Sequence, residues 1–333
     1  MSKKVAVLPG DGIGPEVISS AVAAINVLTD DIELINGDIG YECYRRTGNS
    51  FPRATMDIID ECDAALIGSI TVPKDTPFRN PLFDVKRRLG AYADVRVITK
   101  IIPDLGILPD VNAVFIRESD EGSFNAIEIN ELDGATLTKR VSYSNSKRIC
   151  QYVRRFVERY GRRNITCVHN TPLYPLTDGL FLDSFRETMD GSDIQYGDAC
   201  AGDMISYIVT DPRNIDTVLS INPYSDILSE SIAALVGGSR LVPQGLMGDQ
   251  KGIFKPLRDS CPDIEGMNLV NPTAMLLSTA MMLRFLGYIE ESRTLNGSIR
   301  SAYKRGYRTH DVGGNTGTFD FTTQVVKICE NGQ

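Results

Sequence analysis

The sequence predicts an α/β fold, built as one large domain or two intimate ones, and three observations carry that expectation. The chain has 333 residues, too many for one small core and enough to bury a sizeable one. Short apolar runs alternate with stretches of helical periodicity from end to end, as strands and the helices that cover them do. The first strand also passes into its helix through PGDGIGPE, a glycine turn suited to that junction.

Lys4 to Leu8 reads as a buried strand. Gly10, Gly12 and Gly14 permit a tight turn, Pro15 suits the first turn of a helix, and the helix continues from Glu16 to Leu28. Because the glycines fall at every second position, this is not the GxGxxG dinucleotide fingerprint. A helix over Thr55 to Glu61 precedes a second strand, Asp63 to Ile67. Between Ser69 and Arg96 prolines interrupt the first half and a basic helix forms the second. Its Lys86, Arg87 and Arg88, with Arg96 beyond, suit either carboxylate ligands or a solvated face. Val111 to Ile116 is a strand that ends in Arg117 and Glu118, and the ends of strands are where α/β proteins tend to hold ligands.

The segment Asn130 to Tyr143, with Asp133-Gly134 and alternating Thr and Leu, predicts a hairpin. Ser144 then caps a helix whose apolar residues Ile149, Val153, Phe156, Val157 and Tyr160 recur at helical spacing, and Gly161 ends it. Strands at Asn164 to Val168 and Thr217 to Ile221 flank a helix that ends at Met189. Helices over Pro272 to Leu286 and Leu295 to Arg305 follow, and a last one, capped by Thr318, runs to Cys329.

Charge and cysteine usage exclude whole classes of function. With 35 Lys+Arg against 43 Asp+Glu the net charge is −8, so there is no basic surplus for nucleic acid or anionic lipid, and a small ligand or protein partner is expected. The seven cysteines are odd in number, lack any CxxC and lie mostly in apolar runs, as reduced thiols of a cytoplasmic protein do. No stretch reads as a signal peptide or a membrane span.

One stretch holds a pair of carboxylates at a spacing that chemistry uses. In NPYSDILSESIAALVGG, Asn222 to Gly238, a helix beginning at Tyr224 would set Asp226 and Glu230 on one face, one turn apart. Ile227, Ile232, Leu235 and Val236 would pack that helix into a core, leaving the carboxylates at its edge, where oxygen ligands hold a hard cation. The same spacing suits a solvated helix start, since acids favour the positive end of the helix dipole.

Taken in order, PGDGIGPE, DGLF, SDILSE with ALVGG, PDIEGMNLVNPTAMLLSTAMMLR and THDVGG resemble the isocitrate and isopropylmalate dehydrogenases, metal-dependent NAD(P) enzymes that oxidise and decarboxylate malate-like acids. The resemblance spans about Val5 to Val326. It implies two α/β domains with a cleft between them: residues 1–98 with 252–333 on the cofactor side, and a middle domain, 99–251, whose hairpin at about 130–143 clasps a second subunit. It also implies that the active site is shared between two subunits.

Residue by residue, the resemblance assigns substrate binding to Arg96 and Arg117, with Lys86 standing where the family's first arginine belongs. A lysine keeps that charge but loses the two-pronged grip on a carboxylate. Asn80 and Leu82 replace the residues with which isocitrate enzymes read their substrate, which points away from isocitrate itself. On the cofactor side, Ile13, Asp263, Ile264 and Asn271 match; a carboxylate at Asp263 suits the ribose hydroxyls of NAD and repels a 2′-phosphate. Arg258 and Asp259 replace the family's His-Gly pair. The implied metal set for Mg2+ or Mn2+ is Asp226, Glu230 in place of an Asp, and Asp203, which lies one position beyond the Gly202 that occupies the third site.

The two catalytic positions hold the wrong chemistry. RESDEGSF puts Phe124 where a tyrosine donates a proton, and VHNTP puts Asn170 where a lysine acts as base, with His169 the nearby titratable group. Two functions therefore remain in view. One is an NAD- and cation-dependent oxidoreductase acting on a small dicarboxylic or tricarboxylic 2-hydroxy acid. The other is a noncatalytic or regulatory paralogue, assembled as a homodimer or as a heteromer with a related subunit.

Overall fold

The computed structural model describes residues 2–74, 76–108, 110–257 and 260–331, with the side chain of Phe124 outside the description. In chain order the elements are β1 (Lys3–Gly10), α1 (Gly14–Leu28), β2 (Ile32–Asn36), α2 (Tyr41–Thr47), α3 (Arg53–Glu61), β3 (Ala64–Ser69), α4 (Leu82–Leu89), β4 (Ala93–Thr99) and β5 (Asn112–Glu118). There follow β6 (Ile127–Glu131), β7 (Gly134–Thr138), α5 (Tyr143–Tyr160), β8 (Asn164–His169), α6 (Thr177–Met189), β9 (Gln195–Cys200), α7 (Ala201–Thr210), β10 (Thr217–Ser220) and α8 (Tyr224–Val236). The chain closes with β11 (Pro243–Met247), β12 (Gly252–Pro256), α9 (Thr273–Leu286), α10 (Ile289–Lys304) and α11 (Thr318–Asn331).

These elements form two compact units, one of residues 1–91, 101–105 and 237–333 and one of residues 92–100 and 106–236. In the terminal unit the strand order is β2-β1-β3-β12-β11, parallel except for the antiparallel β11–β12 pair. Strands β3 and β11 are buried throughout and the middle of β1 is buried, whereas the edge strand β2 has no buried residue. One core lies among α9, α10 and α11 at Leu276, Leu283, Leu295, Ile299 and Phe321; the other gathers Leu8, Ile39, Ile59, Ile67 and Ile253. The glycine turn packs against its own unit: Gly12 has φ +55, and a Cβ there would meet the Ser260 carbonyl oxygen at 2.2 Å, so only glycine fits.

In the middle unit the order is β4-β5-β10-β8-β9, parallel except for β4–β5, and the β6–β7 hairpin stands apart from that sheet. The boundaries expected at 98/99 and 251/252 would cut β4 and separate β11 from β12. Strand pairing decides otherwise, since β4 bonds along its length to β5 and β11 to β12.

Most expected elements are present, with informative shifts. Ser142, not Ser144, caps α5: its hydroxyl accepts the Asn145 N–H at 3.3 Å, and Gly161 ends the helix in the left-handed conformation. The helix expected from Leu295 starts at Ile289, with Glu290 and Glu291 in its first turn, where the helix dipole favours acids. Thr318 begins α11, and its hydroxyl donates to the Val270 carbonyl at 2.7 Å. Ile227, expected in the core, is 54% exposed, while Ile232 and Val236 on the same helix are buried. All seven cysteines are free thiols. No helix among the described residues is long and apolar enough to cross a membrane.

Candidate functional site

The polar centre of the middle unit follows from strand register. On antiparallel β4 and β5, Asp94 lies directly opposite Arg117, and Arg96, two residues along β4, shares the face of Asp94. Helix α8 brings Asp226 and Ser229, three residues apart on one side of the helix, to the same place. The two guanidiniums and two carboxylates close a ring: Arg96 pairs with Asp94 and Asp226, and Arg117 pairs with Asp226 and Asp94. Ser229 accepts a further hydrogen bond from Arg96 at 2.7 Å.

Burial sets the character of this ring. Arg96 and Arg117 are each 5% exposed and Asp94 is 1% exposed. Isolated charges so deep would cost several kcal/mol each, roughly, so the ring holds together because it is neutral as a whole. Burial works against the charge on Arg96, but Asp94 and Asp226 more than offset it and raise its pKa. Of the four charged groups, the Asp226 side chain is the most exposed, at 31%. Asp94 and Ser229 were not singled out in the sequence; the alternation of side chains along a strand would have put Asp94 beside Arg96.

A second buried cluster lies around Asn170. Asp178, with no exposed surface, accepts the Asn170 N–H and the Tyr224 hydroxyl, each at 2.8 Å, and pairs with Lys139 at 3.5 Å. Lys139 Nζ also stands 5.5 Å from the Tyr174 ring centre and 5.8 Å from that of Tyr224. Burial, then the bond to Asp178, pushes the Tyr224 phenol upward. His169 is committed elsewhere: Nδ1 accepts the Thr171 N–H at 3.2 Å, so Nε2 carries the proton toward Asp198 at 3.3 Å. Burial opposes the charge on Asp198, and Arg186 and His169 prevail to hold its carboxyl below the usual range. Phe124 lies in a short 3-10 turn, and Asn222 secures the turn's start by accepting the Ser123 N–H and donating to the Glu121 carbonyl.

The implied metal donors are not gathered. Asp226 is engaged by the arginines, Asp203 and Glu230 are exposed, and among the described residues no group of three His, Cys, Asp or Glu side chains is arranged to hold a metal ion. A divalent cation does not fit this donor set as it stands.

In the terminal unit, Lys86 is half-buried on α4 beside the exposed pairs Arg87–Asp84 and Arg88–Asp60. Ile13 is fully buried, and its N–H donates to the Ser260 carbonyl at 2.8 Å, so it packs the glycine turn. Asp263 is exposed on the short turn Pro262–Ile264, and Ile264 is half-buried. Asn271 is buried; its Oδ1 accepts the Thr273 N–H at 3.0 Å and the Tyr303 hydroxyl at 3.3 Å, while Nδ2 has no partner among the described residues. An orphaned buried amide donor near an exposed carboxylate in sequence suits a nucleotide, whose base offers acceptors and whose ribose offers hydroxyls. Arg258 and Asp259 lie outside the described residues.

Comparison with known proteins adds to this geometry. The isocitrate/isopropylmalate dehydrogenase family matches residues 4–327. The chain is 36% identical over 334 aligned residues to the isocitrate/homoisocitrate dehydrogenase of Thermus thermophilus, covering 99% of this chain and 100% of that one. It is 31% identical to a regulatory component of the mitochondrial NAD isocitrate dehydrogenase from Dictyostelium discoideum, over 98% of this chain and 91% of that protein. The crystal structure of isocitrate dehydrogenase from Methylococcus capsulatus superposes with a TM-score of 0.93 at 28% identity, covering 98% of this chain and 99% of that one.

Proposed function

The chain belongs to the isocitrate/isopropylmalate dehydrogenase family, and from that premise we propose that it is an NAD-linked oxidoreductase of a malate-like 2-hydroxy acid whose proton transfers are impaired. The observation that carries this reading is the Arg96–Arg117 pair, two nearly buried guanidiniums on neighbouring strands that share the carboxylates of Asp94 and Asp226. Paired guanidiniums match the geometry of a carboxylate. NAD is the oxidant of this reading, with Asp263 and Asn271 as the residues that would hold it and hydride acceptance as the chemistry it would supply. The family resemblance extends to Mg2+ or Mn2+, but no step in this reading runs through an ion, since among the described residues no set of three donors is arranged to hold one.

Oxidation of the hydroxyl also requires a proton to leave, and a decarboxylated enol requires one to arrive. Asn170 has no basic lone pair to take the first, and Phe124 has no proton to give for the second. That pair of replacements favours a second reading, in which the chain is a noncatalytic or regulatory subunit paired with a related active one; the likeness to the Dictyostelium regulatory protein supports it. Either reading calls for a dimer, as homomer or heteromer. Exposed apolar side chains on the middle unit, Ile127, Ile129, Leu132 and Leu137 of the hairpin with Ile205, Tyr207 and Val209 of α7, support a subunit contact there.

Restoring the missing groups separates the two readings. The double variant Phe124→Tyr with Asn170→Lys should gain at least about a hundredfold in NAD reduction with isopropylmalate if the rest of the site is in register. No gain in a folded double variant would favour the noncatalytic subunit.

A further inference from the structure

We propose that Glu16 reads the nucleotide base: its buried carboxylate, together with the amide of Asn271, recognises the amino-bearing edge of adenine. This rests on the reading of the chain as NAD-linked, and it concerns how the terminal unit selects the base.

Glu16 lies in the first turn of α1, is 8% exposed, and has both carboxylate oxygens buried without a hydrogen-bond partner among the described residues. The helix dipole at that position offsets only a fraction of what an unpaired buried carboxylate costs. Its bonding is completed when a ligand brings the donors. Asn271, 3% exposed, is its complement. Oδ1 accepts the Thr273 N–H, a group that can only donate, so the end of the amide left without a partner is the donor Nδ2.

Topology brings the two groups to one edge of the sheet. Strands β1, β3 and β12 are parallel, α1 leaves the C-terminal end of β1, and Asn271 lies between the C-terminal end of β12 and α9. Helix α11 begins at the same edge, since Thr318 donates to the Val270 carbonyl beside Asn271. One turn further along, Thr322 of α11 donates to Ser20 of α1 at 2.7 Å. Glu16 precedes that contact by one turn on α1, as Thr318 does on α11, so carboxylate and amide lie at the same end of one helix pair. That edge is where α/β sheets hold nucleotides.

The chemistry then selects the base. A carboxylate only accepts and the free Nδ2 only donates, which matches a flat group with a donor and an acceptor on neighbouring atoms. Adenine presents that pattern, an exocyclic amino group beside a ring nitrogen. Hypoxanthine inverts both, with a carbonyl oxygen and a ring N–H, and would set acceptor against acceptor and donor against donor.

The test compares NAD with its hypoxanthine analogue by calorimetric titration of the full-length protein, and adds the melting temperature of the unliganded protein. Wild type should favour NAD about a hundredfold, a factor of about ten for each inverted contact, and Glu16→Met should keep only the factor due to Asn271. Without ligand, Glu16→Met should melt about 2 °C or more above wild type, because an unpaired buried carboxylate is gone. Equal wild-type affinities, a ratio unmoved in the variant, or a melting temperature at or below that of wild type would each overturn the proposal while leaving NAD binding intact. If Glu16→Met does not fold by circular dichroism, Glu16→Ala, which cannot overpack, replaces it in both measurements. Binding of neither dinucleotide would defeat the NAD reading together with this one.

Discussion

Arg117 bonds to Asp94 and Asp226 through separate guanidinium nitrogens, a geometry that a lysine cannot reproduce with one ammonium. Arg117→Lys should therefore keep the fold and lose acid binding by about tenfold or more, a change of roughly 1.4 kcal/mol readable by calorimetry. Asp178 makes a contrasting case, because its role is structural. It is fully buried and serves the Asn170 N–H, the Tyr224 hydroxyl and Lys139 together, so Asp178→Ala would leave a cation and two donors without their acceptor. The expected loss is about 3–5 kcal/mol in urea unfolding, the usual cost of removing one partner from a buried ion pair. A loss below about 1 kcal/mol would mean that water already serves these groups. The sequence named Arg96, Arg117 and Asp226 but not the residue that joins them. Asp94 reaches Arg117 across 23 positions and Arg96 reaches Asp226 across 130, so the charge balance that permits their burial exists only after folding.

Elements were readable in proportion to how local their signals are. Helix α5 declares itself through helical spacing and a terminal glycine, and β1 through an apolar run ahead of a glycine turn. Strand β4 did not, since Asp94 and Arg96 in ADVRVIT argue against a buried strand until their partners on β5 and α8 are known. Strands β2, β9, β11 and β12 and helices α2 and α7 were not read from the sequence; the strands are short, and pairing rather than propensity determines them. The hairpin is the element with a prediction of its own. Ile127, Ile129, Leu132 and Leu137 are all more than half exposed, and Leu132, at 110%, stands fully in solvent at the turn. We expect wild-type protein to sediment as a dimer at micromolar concentration and the combined Ile127→Ser, Ile129→Ser, Leu132→Ser variant to sediment as a folded monomer. A wild-type monomer would show that the hairpin serves another purpose.

At the scale of the whole molecule, the family's framework is intact while the chemistry it usually supports is thinned. Both units keep their sheets and cores, with a buried arginine pair in one and, among the described residues, an Asn271 amide nitrogen without a partner in the other. On the proposed reading Phe124 and Asn170 stand where proton-moving groups would act, and among the described residues no group of three His, Cys, Asp or Glu side chains is arranged to hold a metal. Fold and family were legible because five motifs in order specify turns and cores; activity was not, because it depends on single side chains that those motifs do not determine. Binding without efficient turnover is the central claim, and the rate of NADH formation tests it most directly. With isopropylmalate or isocitrate at saturation and host dehydrogenases removed, the chain alone should work below about 0.1 per second, a hundredfold or more under the roughly ten per second of an ordinary enzyme. A rate near ten per second with either acid would contradict the account, because proton transfer would then be running through groups other than those at positions 124 and 170.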